Sequence, residues 1–178
     1  RCSLLDWRRC CGSLGSRSLN EAFLKMVEKV DGIQAVHGCG QRFREELEAR
    51  GFQPKANPYR LLDFIDRMGA LYAATDLLVC RSGATTLAEA TARGVPMLLI
   101  PWEGASNAEQ RLNAEPLAQA GAAILLSDAE IESGRLEAVV RDLTQQPGRL
   151  EKMAEQAAAF GKPNAARDVV RELLGMLQ

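Results

Sequence analysis

Residues Asp76 to Gln110 read D-L-L-V-C-R-S-G-A-T-T-L-A-E-A-T-A-R-G-V-P-M-L-L-I-P-W-E-G-A-S-N-A-E-Q, and the fold is decided inside them. Leu77 to Cys80 is an apolar run of strand length, broken by Arg81-Ser82-Gly83-Ala84. Thr85 to Arg93 has helical character and stops at Gly94, a residue suited to the left-handed position after a helix. Val95 to Ile100 is a second apolar run, ended by Pro101. Strand, tight loop, helix and strand make a βαβ unit, whose strands run parallel and are buried on both faces. The fold class expected is therefore α/β, a Rossmann-like open parallel sheet with helices on both faces.

The turn between the first strand and the helix lies at a carboxyl strand end, where open α/β sheets bind ligands. Gly83 and Ala84 allow a ligand close to the backbone. The free N–H groups of the helix's first turn then favour an anion such as phosphate. Glu89 follows Thr86 by three residues and Thr85 by four, so the three share a face. A carboxylate there repels phosphate but accepts two hydrogen bonds from a ribose diol. Thr86-x-x-Glu89 also has the spacing of a capping box, with Glu89 bonding back to the helix start. Spacing alone leaves both roles open.

C-R-S-G-A-T-T-L-A-E-A-T-A-R-G-V-P, residues 80–96, closely resembles the donor-binding motif of the MurG family. That family comprises bacterial glycosyltransferases that add N-acetylglucosamine to lipid-linked muramoyl-pentapeptide. The resemblance runs from about Gly12 to the C-terminus and is most specific between Phe64 and Ala122. It implies the C-terminal, nucleotide-sugar-binding half of a two-domain GT-B enzyme. It carries site roles to Ser13 in the first loop, to Ile65, whose backbone would recognise uracil, and to Ala84, Thr85, Thr86 and Glu89. It also implies sugar-binding roles for Glu109 and Gln110. Gln110 matches the family's glutamine, whereas Glu109 stands where related sequences have histidine or glutamine.

Composition bounds the rest. The chain has 178 residues, enough for one full core, and a net charge of −1, which gives no footprint for nucleic-acid binding. It has no run of 18 apolar residues that could form a spanning helix. The five cysteines, Cys2, Cys10, Cys11, Cys39 and Cys80, are odd in number and contain no C-x-x-C pair. Reduced thiols in a cytoplasmic protein are the simplest reading, with no disulfide framework and no zinc site. His37 is the lone histidine and lies in an apolar strand-like run, which points to a structural role. No catalytic dyad, metal cluster or cofactor site is visible.

Residues 1–11, R-C-S-L-L-D-W-R-R-C-C, are anomalous. An apolar strand should feed the loop Gly12-Ser13-Leu14-Gly15-Ser16, but charges fill it, and Cys11 takes the place of the family's first glycine. This segment is read as an altered or non-native leader, and residues 12–178 as the binding domain. Further on, Ser18-x-x-Glu21 is expected to cap a helix carrying Leu19, Ala22, Phe23, Met26, Val27 and Val30 inward. Ile33 to His37 is the second strand, and Gln41 to Arg50 a helix with Phe43 and Leu47 inward. Tyr59 to Ile65 is a strand with Phe64 in the core, and Asp66 caps a helix to Ala74. Asn107 to about Gln119 is helical, with Pro116 kinking or dividing it near Glu115. Ala122 to Leu126 is the last strand. Helices follow from Ser127 to Gln145, broken near Gly134, then from Pro147 to Phe160 and from Pro163 to Leu177. The last places Val169, Val170, Leu173, Leu174 and Leu177 on one face.

The function expected is the donor half of an inverting transferase that moves N-acetylglucosamine to a lipid-linked acceptor in peptidoglycan synthesis. Its partners would be UDP-N-acetylglucosamine and an acceptor-binding N-terminal domain or separate chain. It would work at the cytoplasmic face of the inner membrane when joined to that half. The alternative is a non-catalytic nucleotide-sugar-binding module or donor subunit. A nucleotide-sugar epimerase of similar architecture is a third reading, which C-R-S-G-A-T-T-x-x-E fits less well.

Overall fold

The computed structural model describes residues 8–12, 16–52, 59–102, 104 and 108–176, with 8–12 and 108 as backbone. Six strands form one parallel sheet: β1 (Arg8–Gly12), β2 (Ile33–Gly38), β3 (Tyr59–Leu62), β4 (Leu77–Cys80), β5 (Met97–Leu99) and β6 (Ala123–Leu125). Their order is β3-β2-β1-β4-β5-β6. The chain winds outward from β1 through β2 to β3, crosses back to β4, and winds the other way to β6. The reversal puts the topological switch point between β1 and β4, the place where open α/β sheets bind ligands.

The β4–α4–β5 unit forms as its sequence dictates. In β4, Leu77 and Val79 face one side of the sheet while Leu78 and Cys80 face the other. In β5, Leu98 pairs with the first set and Met97 and Leu99 with the second. All seven are buried, because helices cover both faces. Helices α1 (Arg17–Lys29), α6 (Asp128–Glu132) and α7 (Arg135–Gln145) cover the first face through Phe23, Met26, Ile131 and Leu143. Helices α3 (Met68–Ala74), α4 (Ala84–Ala92) and α5 (Ala108–Gln119) cover the second through Tyr72, Leu87 and Leu117. Helix α2 (Gln41–Ala49) seats Phe43 and Leu47 in a smaller cluster with Cys39. Helix α8 (Arg149–Phe160) contributes Leu150 and Met153 to the first layer and Ala157 to the second.

Gly94 ends α4 as expected, at φ +63°. Its N–H donates to the Thr91 carbonyl and that of Val95 to Ala90, the paired bonds of a Schellman motif. β1 begins at Arg8, ahead of the boundary expected at Gly12, and its backbone pairs with β2 and β4. Its main-chain ladder is open to any non-proline sequence, so the charges of this segment do not bar it from a strand.

Several local expectations are corrected. α1 starts at Arg17 with Ser16 at the N-cap, and Ser18 caps nothing; its hydroxyl donates to Asp128 instead. β3 stops at Leu62, and α3 starts at Met68 with Arg67, not Asp66, at the N-cap. Phe64 therefore lies beyond the strand and is 71% exposed instead of sitting in the core. Pro116 does not divide α5. Its missing hydrogen bond is offset by burial of Ala114 and Leu117 on either side. The last helix is α9 (Ala165–Gly175), whose apolar face is not packed: Val169, Val170, Leu173 and Leu174 are all more than half exposed. Leu177 lies outside the described residues.

His37 is fully buried in a closed polar chain. The Asn20 amide Nδ2 donates to the Cys39 carbonyl at 2.8 Å, which turns Asn20 Oδ1 toward His37 Nε2 at 3.0 Å. That nitrogen must donate, so Nδ1 accepts from the Tyr59 hydroxyl at 2.8 Å. Burial holds the imidazole at a pKa of about 4, so it is neutral and structural.

Candidate nucleotide-sugar site

The site builds from the loop after β4. Gly83 is the N-cap of α4 and has no side chain with which to cap the helix. The first intrahelical bond is Leu87 N–H to the Gly83 carbonyl, so among the described residues the amides of Ala84, Thr85 and Thr86 have no main-chain partner. Gly83 has φ −67°, an ordinary value, so no backbone strain demands glycine. Among the described residues, a Cβ built there meets nothing within 4 Å. Ala84 and Thr85 are exposed and Thr86 is half-buried. A helix start of this kind, with free amides and the positive end of the helix dipole, is chemically suited to an anion.

Glu89 is not a helix cap. The residue at the third position of α4 is Thr86, and Glu89 sits a turn beyond it. Its carboxylate instead accepts from the Tyr72 hydroxyl at 3.0 Å. The Tyr72 ring is buried in α3, so a rigid aromatic stem steers an exposed carboxylate. One oxygen is bonded to Tyr72 and the group stays open to solvent, able to accept from a diol.

Gln110 comes to the same loop from α5. Ser82, fully buried, donates its hydroxyl to the Gln110 carbonyl at 2.8 Å, tying the β4–α4 turn to the start of α5. Gln110 Oε1 accepts the Trp102 N–H at 2.9 Å, which leaves its amide nitrogen to donate elsewhere. Glu109, beside it, is exposed. Ile65 lies in the loop between β3 and α3 with its side chain buried. Among the described residues, neither its N–H nor its carbonyl pairs with another main-chain group. The Tyr72–Glu89 bond joins α3, which follows this loop, to α4. Ser13 lies outside the described residues.

Two residues that sequence reading gave no site role emerge here. Phe64 presents an exposed ring next to Ile65. Arg81, two residues before the α4 N-cap, forms a bidentate pair with Asp128, both bonds at 2.9 Å. Burial pushes the Asp128 carboxyl up, but hydrogen bonds from Arg81 and Ser18 and the guanidinium charge outweigh it and hold the carboxyl below its usual range. The only signal for Phe64 was its position at a strand end. None pointed to the pairing of Arg81 with a residue 47 positions on. Among the described residues, no group of three or more His, Cys, Asp or Glu side chains could hold a metal.

Comparison with known proteins agrees with this architecture. The chain is 41% identical over 160 residues to a protein of Acidothermus cellulolyticus named UDP-N-acetylglucosamine–N-acetylmuramyl-(pentapeptide) pyrophosphoryl-undecaprenol N-acetylglucosamine transferase, covering 86% of this chain and 42% of the relative. A protein of the same name from Myxococcus xanthus is 36% identical, covering 89% of this chain and 42% of the relative. The chain thus spans less than half the length of these curated relatives. The crystal structure of Acinetobacter baumannii MurG superposes with a TM-score of 0.81 at 29% identity, over 95% of this chain and 52% of that one. A putative UDP-N-acetylglucosamine 2-epimerase from Listeria monocytogenes shares the fold alone, with a TM-score of 0.67 at 18% identity over 97% of this chain and 46% of that one. Residues 10–169 match the glycosyltransferase family 28 C-terminal domain, and the chain belongs to that family.

Proposed function

We propose that this chain is the UDP-N-acetylglucosamine-binding half of an inverting glycosyltransferase that completes the lipid-linked disaccharide-pentapeptide of peptidoglycan. The uncapped start of α4 at the switch point carries this reading. There the amides of Ala84, Thr85 and Thr86 hold the diphosphate, and Ser13, which follows β1 in sequence, is assigned to the same ligand. Glu89, steered by Tyr72, accepts from the ribose hydroxyls. The Ile65 backbone pairs with uracil, and Phe64 supplies a flat apolar wall. Gln110 and Glu109 contact the sugar. The binding domain is residues 12–178, with the Arg8–Gly12 strand completing its sheet.

This half carries no catalytic residue in the proposal. Its contribution to transfer is electrostatic: helix amides stabilise the charge that builds on UDP as the acceptor hydroxyl attacks the anomeric carbon. The acceptor and its base belong to a second domain or chain. The unpacked apolar face of α9 is a surface such a partner would cover. The lipid-linked acceptor would place the assembly at the cytoplasmic face of the inner membrane. Among the described residues, no helix is long and apolar enough to cross a membrane.

Calorimetric titration of UDP and UDP-N-acetylglucosamine tests the reading. Glu89→Gln removes the charged acceptor and should weaken binding of both by roughly 1.5–3 kcal/mol, about tenfold to a hundredfold. Unchanged affinity in a folded variant would remove Glu89 from the site, and no binding by the unmodified chain would defeat the proposal.

A further inference from the structure

We propose that Arg81 positions the donor site and does not itself bind phosphate; the inference rests on the function just proposed. An arginine directly before an anion-binding turn invites the opposite assignment, since guanidinium groups clasp phosphates. The geometry points away from it. Arg81 Nη1 and Nη2 each donate to one Asp128 oxygen at 2.9 Å. Nη2 also donates to Ser16 at 2.7 Å and Ser18 at 3.0 Å, and Nε to Ser16 at 3.3 Å. Nη1 reaches the carbonyls of Ile100 at 3.1 Å and Pro101 at 3.4 Å. All three nitrogens are committed, and the side chain is only 19% exposed. A guanidinium has five N–H groups, and none is left over here for a ligand.

The partners matter as much as their number. Ser16 and Ser18 lie at the exit of β1 and the start of α1. Ile100 and Pro101 follow β5, and Asp128 opens α6 after β6. Arg81 itself follows β4. One planar cation therefore ties together segments that follow four strands: its own after β4, the start of α1 after β1, Ile100 and Pro101 after β5, and the start of α6 after β6. Ser18 closes the set by donating to Asp128 Oδ1 at 2.8 Å. The clamp sets the spacing between the start of α1 and the α4 amides before any ligand arrives. Preset spacing of this kind raises affinity by sparing the ligand the cost of ordering the site.

The two assignments differ in the sign of one measurement. Asp128→Asn removes the charge that holds Arg81. A guanidinium released beside the turn would bind phosphate more tightly, whereas a broken clamp should weaken UDP binding roughly tenfold. Arg81→Lys keeps the charge and loses the fork, so the clamp predicts a loss as large as that of Arg81→Ala. Ser16→Ala cuts two of the bonds with less disturbance to folding and should weaken UDP binding by about threefold.

Affinities of the 178-residue chain for UDP are measured by calorimetry beside thermal midpoints. Val140→Ala, in the α7 layer, serves as a control of comparable destabilisation. The clamp is supported if Asp128→Asn, Arg81→Lys and Ser16→Ala bind UDP more weakly than Val140→Ala does at matched stability. It is overturned if Asp128→Asn binds UDP as well as or better than the unmodified chain, or if Val140→Ala loses as much affinity. Should Glu89→Gln weaken binding while the clamp variants do not, the donor site stands and only the role of Arg81 falls.

Discussion

Between pH 7 and pH 5, acidification should destabilise this protein chiefly through one imidazole. His37 is neutral in the native state, with its pKa held at about 4 against an ordinary 6.5. The unfolded chain therefore binds about one more proton than the native state between these values, and stability falls as pH falls through that window. The sign follows because protonation of buried His37 adds a desolvated charge and puts a proton on Nδ1, where the Tyr59 hydroxyl now donates. The full loss is about 3 kcal/mol once pH is below 4, of which about 2 kcal/mol has gone between pH 7 and pH 5. For a chain of this length that corresponds to a fall of roughly 4–8 °C in thermal midpoint. The comparison is with His37→Gln, which offers one donor and one acceptor and does not titrate. Its baseline stability should be lower, but the slope of stability between pH 7 and pH 5 should be nearly flat. If the variant shows the same slope as the unmodified chain, some other group sets acid sensitivity, and the account of the Asn20–His37–Tyr59 chain is wrong.

Other perturbations have calculable signs. Gly161→Ala would set a Cβ 2.5 Å from the Thr91 carbonyl oxygen, against backbone that cannot swing aside, and should cost about 2–4 kcal/mol in urea denaturation. Gly94→Ala combines a left-handed φ of +63° with contacts of 3.2 Å to Ala158 Cβ and 3.3 Å to the Ala154 carbonyl, and should cost about 1–3 kcal/mol by the same measurement. Neither change touches the proposed site, so UDP affinity of the folded fraction should persist. Replacing Val170 and Leu173 by serine should change the unfolding free energy in urea by no more than about 1 kcal/mol, since both are exposed, and should reduce any self-association seen by light scattering.

The βαβ unit from Leu77 to Leu99 was legible because every signal in it is local. A buried parallel strand announces itself as an unbroken apolar run, and Gly94 marks the helix end through its own backbone preference. Phe64 misled for the complementary reason. Hydrophobicity says that a residue prefers burial, not where a strand stops; β3 lies at the sheet edge and ends at Leu62, leaving the ring beyond any covering helix. In the last helix the amphipathic period identifies a face, as the structure shows, but not what covers it.

The site shows where local reading stops. Thr86-x-x-Glu89 fits a capping box and Ser18-x-x-Glu21 fits another, yet both give way to partners far along the chain. Tyr72 stands 17 residues before Glu89, and Asp128 lies 110 residues after Ser18. A short polar side chain satisfies itself with the nearest good acceptor in space, and the fold decides which one that is. For Glu89 the loss of the cap reading strengthens the functional one. A carboxylate engaged with the helix backbone would have its charge spent, whereas one held from the side by a phenol keeps an oxygen for a ligand. The same logic takes Arg81 the other way. Its place in the motif argues for a ligand role, but its hydrogen-bonding capacity is already filled by Ser16, Ser18, Ile100, Pro101 and Asp128, so a cation's place beside a helix start is not by itself evidence of a ligand contact.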